Sequence, residues 1–252
     1  VIKLHNQNNQ NNARVVTITS GKGGVGKSLV TSLLAIQTQR LGYHAAILDA
    51  DITGPSIPKI FGINKPAEAV DNSLLPHVTE SGVKIMSMNM LLPNATDPVL
   101  WRGPVISGVV KQFWEDVQWG DVDFLFVDMP PGTGDVPLTV FQSLPINGIL
   151  IVSTPQSLVS MIVDKAMNMA QMMQVPVLGM VENMRFLRCP DCGKEIPLFG
   201  SDDHVDNHTV PVLERIPLDP TVAAACDAGK LEQAEIDYLA KTCLLYTSPS
   251  PR

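Results

Sequence analysis

The stretch Ser20-Gly21-Lys22-Gly23-Gly24-Val25-Gly26-Lys27-Ser28 fits the pattern G-x-x-x-x-G-K-[ST] without a mismatch. The apolar run Val15 to Thr19 precedes it and predicts a buried strand. The apolar-periodic segment Leu29 to Leu41 follows it and predicts a helix. A strand entering a helix through a glycine loop makes a phosphate cradle. Glycines let backbone N–H groups wrap phosphate oxygens, and the helix N-terminus adds a favourable dipole. Gly21, Gly23, Gly24, Val25 and Gly26 supply that backbone. Lys27 is expected on the β/γ-phosphates and the Ser28 hydroxyl on Mg²⁺. A bare glycine turn that binds nothing fits these flanks poorly.

The rest of the chain repeats the strand-then-helix theme, which predicts an α/β fold: a doubly wound, mainly parallel sheet with helices on both faces. Ala45 to Leu48 reads as a short buried strand ending at Asp49-Ala50-Asp51. Carboxylates at the carboxyl end of such a strand face the ligand crevice. A turn or capping role is the alternative, more for Asp49 than for Asp51. Val83 to Met88 alternates and suggests another strand. Asp123 to Asp128 is apolar and ends in an acid, a Walker B pattern that puts Asp128 on Mg²⁺. It runs into Met129-Pro130-Pro131-Gly132-Thr133-Gly134-Asp135, a stiff bend followed by a pivot. The Gly132 N–H is a candidate donor to a γ-phosphate. Gly148 to Ser153 predicts a strand, Ser157 to Gln174 a helix, and Val175 to Val181 a strand leading to Glu182-Asn183-Met184. A side-chain amide at that edge can read adenine through paired donor and acceptor bonds. No guanine-specific N-K-x-D string is present.

Arg188-Cys189-Pro190-Asp191-Cys192-Gly193 is the second chemical feature. A C-x-x-C hairpin aims two thiolates at one metal centre, and zinc and iron–sulfur clusters normally take four protein ligands. The chain has no second C-x-x-C. His204 and His208 allow a Cys2His2 zinc site within one chain. Two copies allow a shared [4Fe–4S] cluster. A redox dithiol and free thiols are the other readings. The remaining cysteines, Cys226 and Cys243, are scattered, which argues against a secreted disulfide framework and for a reducing, cytoplasmic setting. Net charge is −7, so no attraction to nucleic acid is expected. No apolar run approaches the ~18 residues that span a membrane, so no membrane partner is expected. Residues 1–13 read as a disordered linker, consistent with a further domain ahead of Val1. Residues 14–242 read as one ATPase domain. Residues 243–252 read as a non-native or disordered tail.

Lys22, directly after the first glycine, is not needed by an ordinary phosphate loop. The form G-K-G-G-x-G-K-S resembles the deviant Walker A of the ParA/MinD/nitrogenase-iron-protein superfamily. The order of that loop, D-A-D-x-x-G-P-S, W-R-G-P, D-M-P-P-G-T-G-D, T-P-Q, E-N-M and C-P-x-C-G, over about residues 15 to 231, resembles the Mrp/ApbC/Nbp-type iron–sulfur carrier ATPases. The resemblance implies a homodimer in which Lys22 reaches the partner's nucleotide. It implies that Asp51 orients or deprotonates the attacking water and that Asn183 contacts adenine. It also implies that Cys189 and Cys192 hold half of a labile [4Fe–4S] cluster, passed to apo-proteins at the expense of ATP. The chain departs from the family in a short, polar Ser201 to Leu213, in Glu214 where glycine is usual, and in lacking the proline that usually follows Asp227-Ala228-Gly229-Lys230. A MinD/ParA-type positioning ATPase and a zinc-stabilised regulatory ATPase are the alternatives.

Overall fold

The computed structural model describes residues 13–51, 54, 56–70, 73–91, 103–132, 135–155, 159–199 and 210–247. His204, His208, Thr133, Gly134, the W-R dipeptide at 101–102 and the far ends of the chain lie outside the described residues.

Along the chain run β1 (Arg14–Thr19), α1 (Lys27–Arg40), β2 (Ala45–Asp49), α2 (Ile57–Ile60), β3 (Glu68–Val70), β4 (Ser73–Leu75), β5 (His77–Val78) and β6 (Lys84–Ser87). Then come α3 (Gly103–Asp116), β7 (Phe124–Asp128), α4 (Asp135–Ser143), β8 (Gly148–Ser153), α5 (Val159–Met172) and β9 (Val177–Glu182). The chain closes with β10 (Phe186–Arg188), β11 (Glu195–Pro197), β12 (Val212–Arg215), α6 (Pro220–Asp227) and α7 (Ala240–Thr247).

Eight strands form one sheet in the order β12-β9-β8-β1-β7-β2-β6-β5. Every pairing in it is parallel except β5 with β6. The central strands β2, β7 and β8 are buried along their whole length, as a parallel sheet covered on both faces requires. Alternate residues feed two cores. Val16 and Ile18 pack with Val30 and Leu33 of α1, Ile57 of α2 and Val222 of α6. Val15 packs with Val110 and Phe113 of α3, Phe141 of α4 and Val163 of α5. The doubly wound architecture is the one expected. It sets β1 in the middle of the sheet and opens its carboxyl end to ligand.

Three regions differ from expectation. The strand over 83–88 is shorter, because the chain turns into a 3₁₀ helix at Met88–Leu91. The segment before it folds as a small β3–β4 hairpin and the antiparallel edge strand β5. At the far end α7 passes the boundary expected at 242. Cys243 is fully buried against α1, its sulfur 3.7 Å from Thr38 Oγ1 and from the Leu34 carbonyl oxygen. The unusual Glu214 explains why α7 docks. Its carboxylate accepts from Leu239 N (2.8 Å), Thr242 N (3.3 Å) and Thr242 Oγ1 (2.9 Å) at the start of that helix.

Candidate functional site

The strand β1 ends at Thr19, and the loop from Ser20 turns the chain into α1. Ser20 Oγ donates back to the Lys22 carbonyl at 3.0 Å and tightens the turn. Gly24 and Gly26 hold φ of 78° and 82°, which other residues adopt at a cost. A Cβ on Gly26 would stand 2.1 Å from Asn183 Nδ2. The loop borders a cleft of about 800 Å³, whose lining also includes Asp51, Lys59, Pro131, Met184, Ala223 and Cys226. Lys22 lines its mouth and is exposed.

The acid at the end of β7 gathers the polar groups of the site. Lys27 Nζ donates to Asp128 Oδ1 at 2.8 Å and stands 3.5 Å from Asp51 Oδ2. Ser28 Oγ donates to Asp128 Oδ2 at 2.6 Å. Thr31 Oγ1 lies 3.0 Å from Asp128 Oδ1, a contact the motif reading missed. Its signal was its place one helical turn after Lys27. Asp128 is wholly buried, and burial pushes its carboxyl up, while the charge and hydrogen bond of Lys27 pull it back. Ser28 hydroxyl and Asp128 carboxylate are hard oxygen donors brought together, and this donor set suits Mg²⁺.

Asp49 does not reach the cleft. It is fully buried, in register beside Asp128, and accepts from Ser87 Oγ (2.9 Å) and Asp51 N (3.1 Å). It is a turn and packing residue, the alternative weighed for it. Asp51, 8% exposed, is the acid that lines the cleft.

Two further residues are engaged differently from expectation. The Gly132 N–H, the candidate γ-phosphate donor, donates to the Ser20 carbonyl at 2.9 Å. Asn183, the candidate adenine contact, is 1% exposed, and its Nδ2 donates to the Val25 carbonyl at 2.9 Å. In this structure it braces the phosphate loop from below, and Met184 beside it lines the cleft. Both contacts are tertiary and leave no mark in a local pattern.

The cysteines sit at the tip of the β10–β11 hairpin. Arg188 and Glu195 pair across it at 3.0 Å, and the Arg188 guanidinium lies 5.8 Å from the Phe186 ring centroid. Cys189 N donates to the Lys194 carbonyl, and Gly193 N donates to the Cys189 carbonyl, each at 2.9 Å. Gly193 has φ 70°, so the knuckle needs its glycine. Backbone N–H groups of Cys192 and Asp191 point at the Cys189 sulfur and hold its thiol below the usual range. Cys192 is exposed. The tip is a hairpin turn, not a helix N-terminus, which removes the geometry of a thioredoxin-type redox pair. Among the described residues no group of three His, Cys, Asp or Glu side chains is placed to hold a metal ion.

The sequence model of a family described as the NUBPL iron-transfer P-loop NTPases matches residues 11–244. The chain belongs to this family. An iron-sulfur cluster carrier protein of Clostridium perfringens is 45% identical over 230 residues, covering 87% of this chain and 81% of that protein. One from Methanocaldococcus jannaschii is 45% identical over 219 residues, covering 85% and 76%. Among solved structures, a nucleotide-binding protein from Archaeoglobus fulgidus in complex with ADP superposes with a TM-score of 0.80 at 40% identity, over 90% of each chain. The septum site-determining protein MinD of Pyrococcus horikoshii, with Mg-ADP, superposes at 0.62 and 22% identity over 92% of this chain and 94% of that one, which shares the fold alone. As a P-loop NTPase of this family, the chain is an ATP hydrolase.

Proposed function

We propose that this NTPase is an ATP-dependent iron–sulfur carrier that holds a [4Fe–4S] cluster between two copies of the chain and passes it to apo-proteins. One observation carries the reading. A hydrolytic phosphate site and a pre-shaped pair of thiols, Cys192 exposed and Cys189 half-buried, share one chain, and the pair has no further protein ligand among the described residues. Cys189 and Cys192 from each of two copies would supply the four ligands that a [4Fe–4S] cluster takes. In transfer, each iron–sulfur bond to this chain is exchanged for one to a client thiolate. The client thiol's proton passes to the released cysteine, with no net oxidation. A labile cluster of this kind suits a reducing compartment, the cytoplasm.

At the phosphate site Lys27 would leave Asp128 for the β/γ-phosphates. Bound Mg²⁺, held through Ser28 and Asp128, would neutralise phosphate charge. Asp51 would orient the attacking water or accept its proton, and Lys22 would reach the partner's nucleotide. Gly132 N–H would exchange the Ser20 carbonyl for the γ-phosphate, and the Asn183 side-chain amide would exchange the Val25 carbonyl for the donor and acceptor groups of adenine. The test is anaerobic reconstitution with ferrous iron and sulfide. Cluster absorbance with about four irons per two chains is expected, lost in Cys189→Ala and in Cys192→Ala. Stable zinc at about one per chain, and no cluster, overturns the reading.

A further inference from the structure

One short helix, α6, touches both the nucleotide cleft and the root of the cysteine hairpin, beside the direct chain from Asn183 and Met184 to Phe186. Eight residues long, α6 spans ~12 Å along its axis. Its Ala223, Cys226 and Asp227 line the nucleotide cleft, together with Lys59 and Ile60 of α2. Its two ends are fixed to different parts of the molecule.

The carboxyl end meets α2, the helix that follows Asp51. Gly229 and Gly62 touch backbone to backbone. A Cβ on Gly229 would lie 2.6 Å from Gly62 Cα, and one on Gly62 would lie 2.9 Å from the Gly229 carbonyl oxygen. Both glycines hold positive φ, 66° and 68°. No compliant side chain separates the two helices there. Close-packed contacts of this kind transmit displacement with little slack. Lys59 and Asp227 add a 3.1 Å ion pair.

The amino end meets the cysteine hairpin. Leu218, just ahead of the helix cap Asp219, donates its N–H to the Phe186 carbonyl at 2.8 Å. Phe186 opens β10, which leads to Cys189 two residues after its last-but-one position, Leu187. Val222 is fully buried in the core, Ala225 and Cys226 pack partly buried against it, and the other helix residues are exposed.

We infer that α6 is a rigid strut that carries movement of α2 at the nucleotide cleft to the root of the cysteine hairpin, which makes Gly62, Gly229 and Leu218 positioning residues for Cys189 and Cys192. The inference rests on the carrier reading for its purpose, but not for its test. The linkage explains how the nucleotide at one end can loosen or tighten the thiols at the other without a residue shared by the two sites.

The test uses metal-free, reduced protein and iodoacetamide, with alkylation of each cysteine followed by peptide mass spectrometry. Saturating Mg-ADP is expected to change the rates at Cys189 and Cys192 by about fivefold, the low end of ordinary allosteric coupling. Gly229→Ala is expected to cut that change below about twofold. Cys226, in the cleft wall, reports nucleotide occupancy in the same digest. Rates at the hairpin thiols that ignore Mg-ADP in the unmodified chain, or a full effect surviving in Gly229→Ala, overturn the strut. Hydrogen exchange on the unmodified chain needs no variant. Mg-ADP must alter protection at Leu218 and at residues 186–188 together, and a change confined to the phosphate loop sinks the inference. No iron enters either measurement. A chain that failed to assemble a cluster would therefore fail the carrier reading and still pass or fail here independently.

Discussion

Asp49 and Asp128 are neighbours in register at the ends of β2 and β7, and both are fully buried. One ammonium, Lys27, stands 2.8 Å from Asp128. Burial, and then the Asp128 charge, push the Asp49 carboxyl well above its ordinary range, against the hydrogen bond from Ser87. The folded chain therefore keeps a proton that the unfolded chain releases. Stability from this group is fully present below the unfolded carboxylate value and falls as pH rises toward the folded one. Asp49→Asn removes the titration, keeps an acceptor for Asp51 N and lets the side-chain amide donate to Ser87 Oγ in place of accepting from it. It is expected to gain about 1–2 kcal/mol near neutral pH and to flatten the decline of stability above about pH 4. Urea unfolding across that range checks it, and a variant less stable at every pH refutes it. Glycines of the loop divide as sharply. A Cβ on Gly23 meets nothing within 4 Å, whereas one on Gly26 meets Asn183 at 2.1 Å with φ at 82°. Gly23→Ala is expected to leave the melting temperature in place. Gly26→Ala should cost about 2 kcal/mol and, by shifting the loop and its brace, slow ATP hydrolysis about a hundredfold. Equal melting temperatures for the two variants would contradict this account.

At the scale of elements, what the sequence makes legible is what period and local chemistry encode. The runs at 15–19, 45–48, 123–128 and 148–153 are apolar without alternation, which is how strands covered on both faces read. The β3–β4 hairpin has no such signature: it is three residues a side, and none of those residues is fully buried. Docking of α7 depends on Glu214 accepting from a helix start about 25 residues later, a pairing that no window contains. The same holds for the pinning of α6. Tyr238 donates its hydroxyl to Asp219 Oδ2 at 2.8 Å, and Asp219 also caps the helix at Thr221 N. Burial, the Asp219 hydrogen bond and the Asp219 charge raise the Tyr238 phenol to about 12. Here the raised group is an acid that is neutral when protonated, so its contribution is complete below the ordinary phenol value of about 10 and disappears as pH climbs through the folded value. Tyr238→Phe is expected to lose about 1 kcal/mol at neutral pH, and the deficit should shrink between about pH 10 and 12. A deficit that stays constant with pH would assign the loss to packing instead of the bond to Asp219.

For the whole molecule, the order of motifs told more than any one motif, because the parallel sheet brings the ends of β1, β2 and β7 together at one edge. Lys27, Ser28, Asp51 and Asp128 were readable for that reason. The engagement of Asn183 with Val25 and of Gly132 with Ser20 was not, since each depends on which loop lies above which strand end. On the carrier reading proposed above, the cysteine pair and Lys22 share a different limit: each would be completed only by a second copy of the chain. If Lys22 acts across a pair of chains, two defective chains should repair one another. Lys22→Ala retains its own Lys27 and lacks the reaching lysine, whereas Lys27→Ala retains Lys22 and lacks its own phosphate lysine. Each alone should fall at least about a hundredfold in ATP turnover. Mixed in equal amounts, half of the dimers pair one of each, and in every such dimer one of the two sites has both lysines. About a quarter of the unmodified turnover is expected to return, and the return should vanish on dilution below the dimer dissociation constant. A lysine that served only its own nucleotide would leave every site in the mixture defective, and no activity would reappear at any ratio of the two variants.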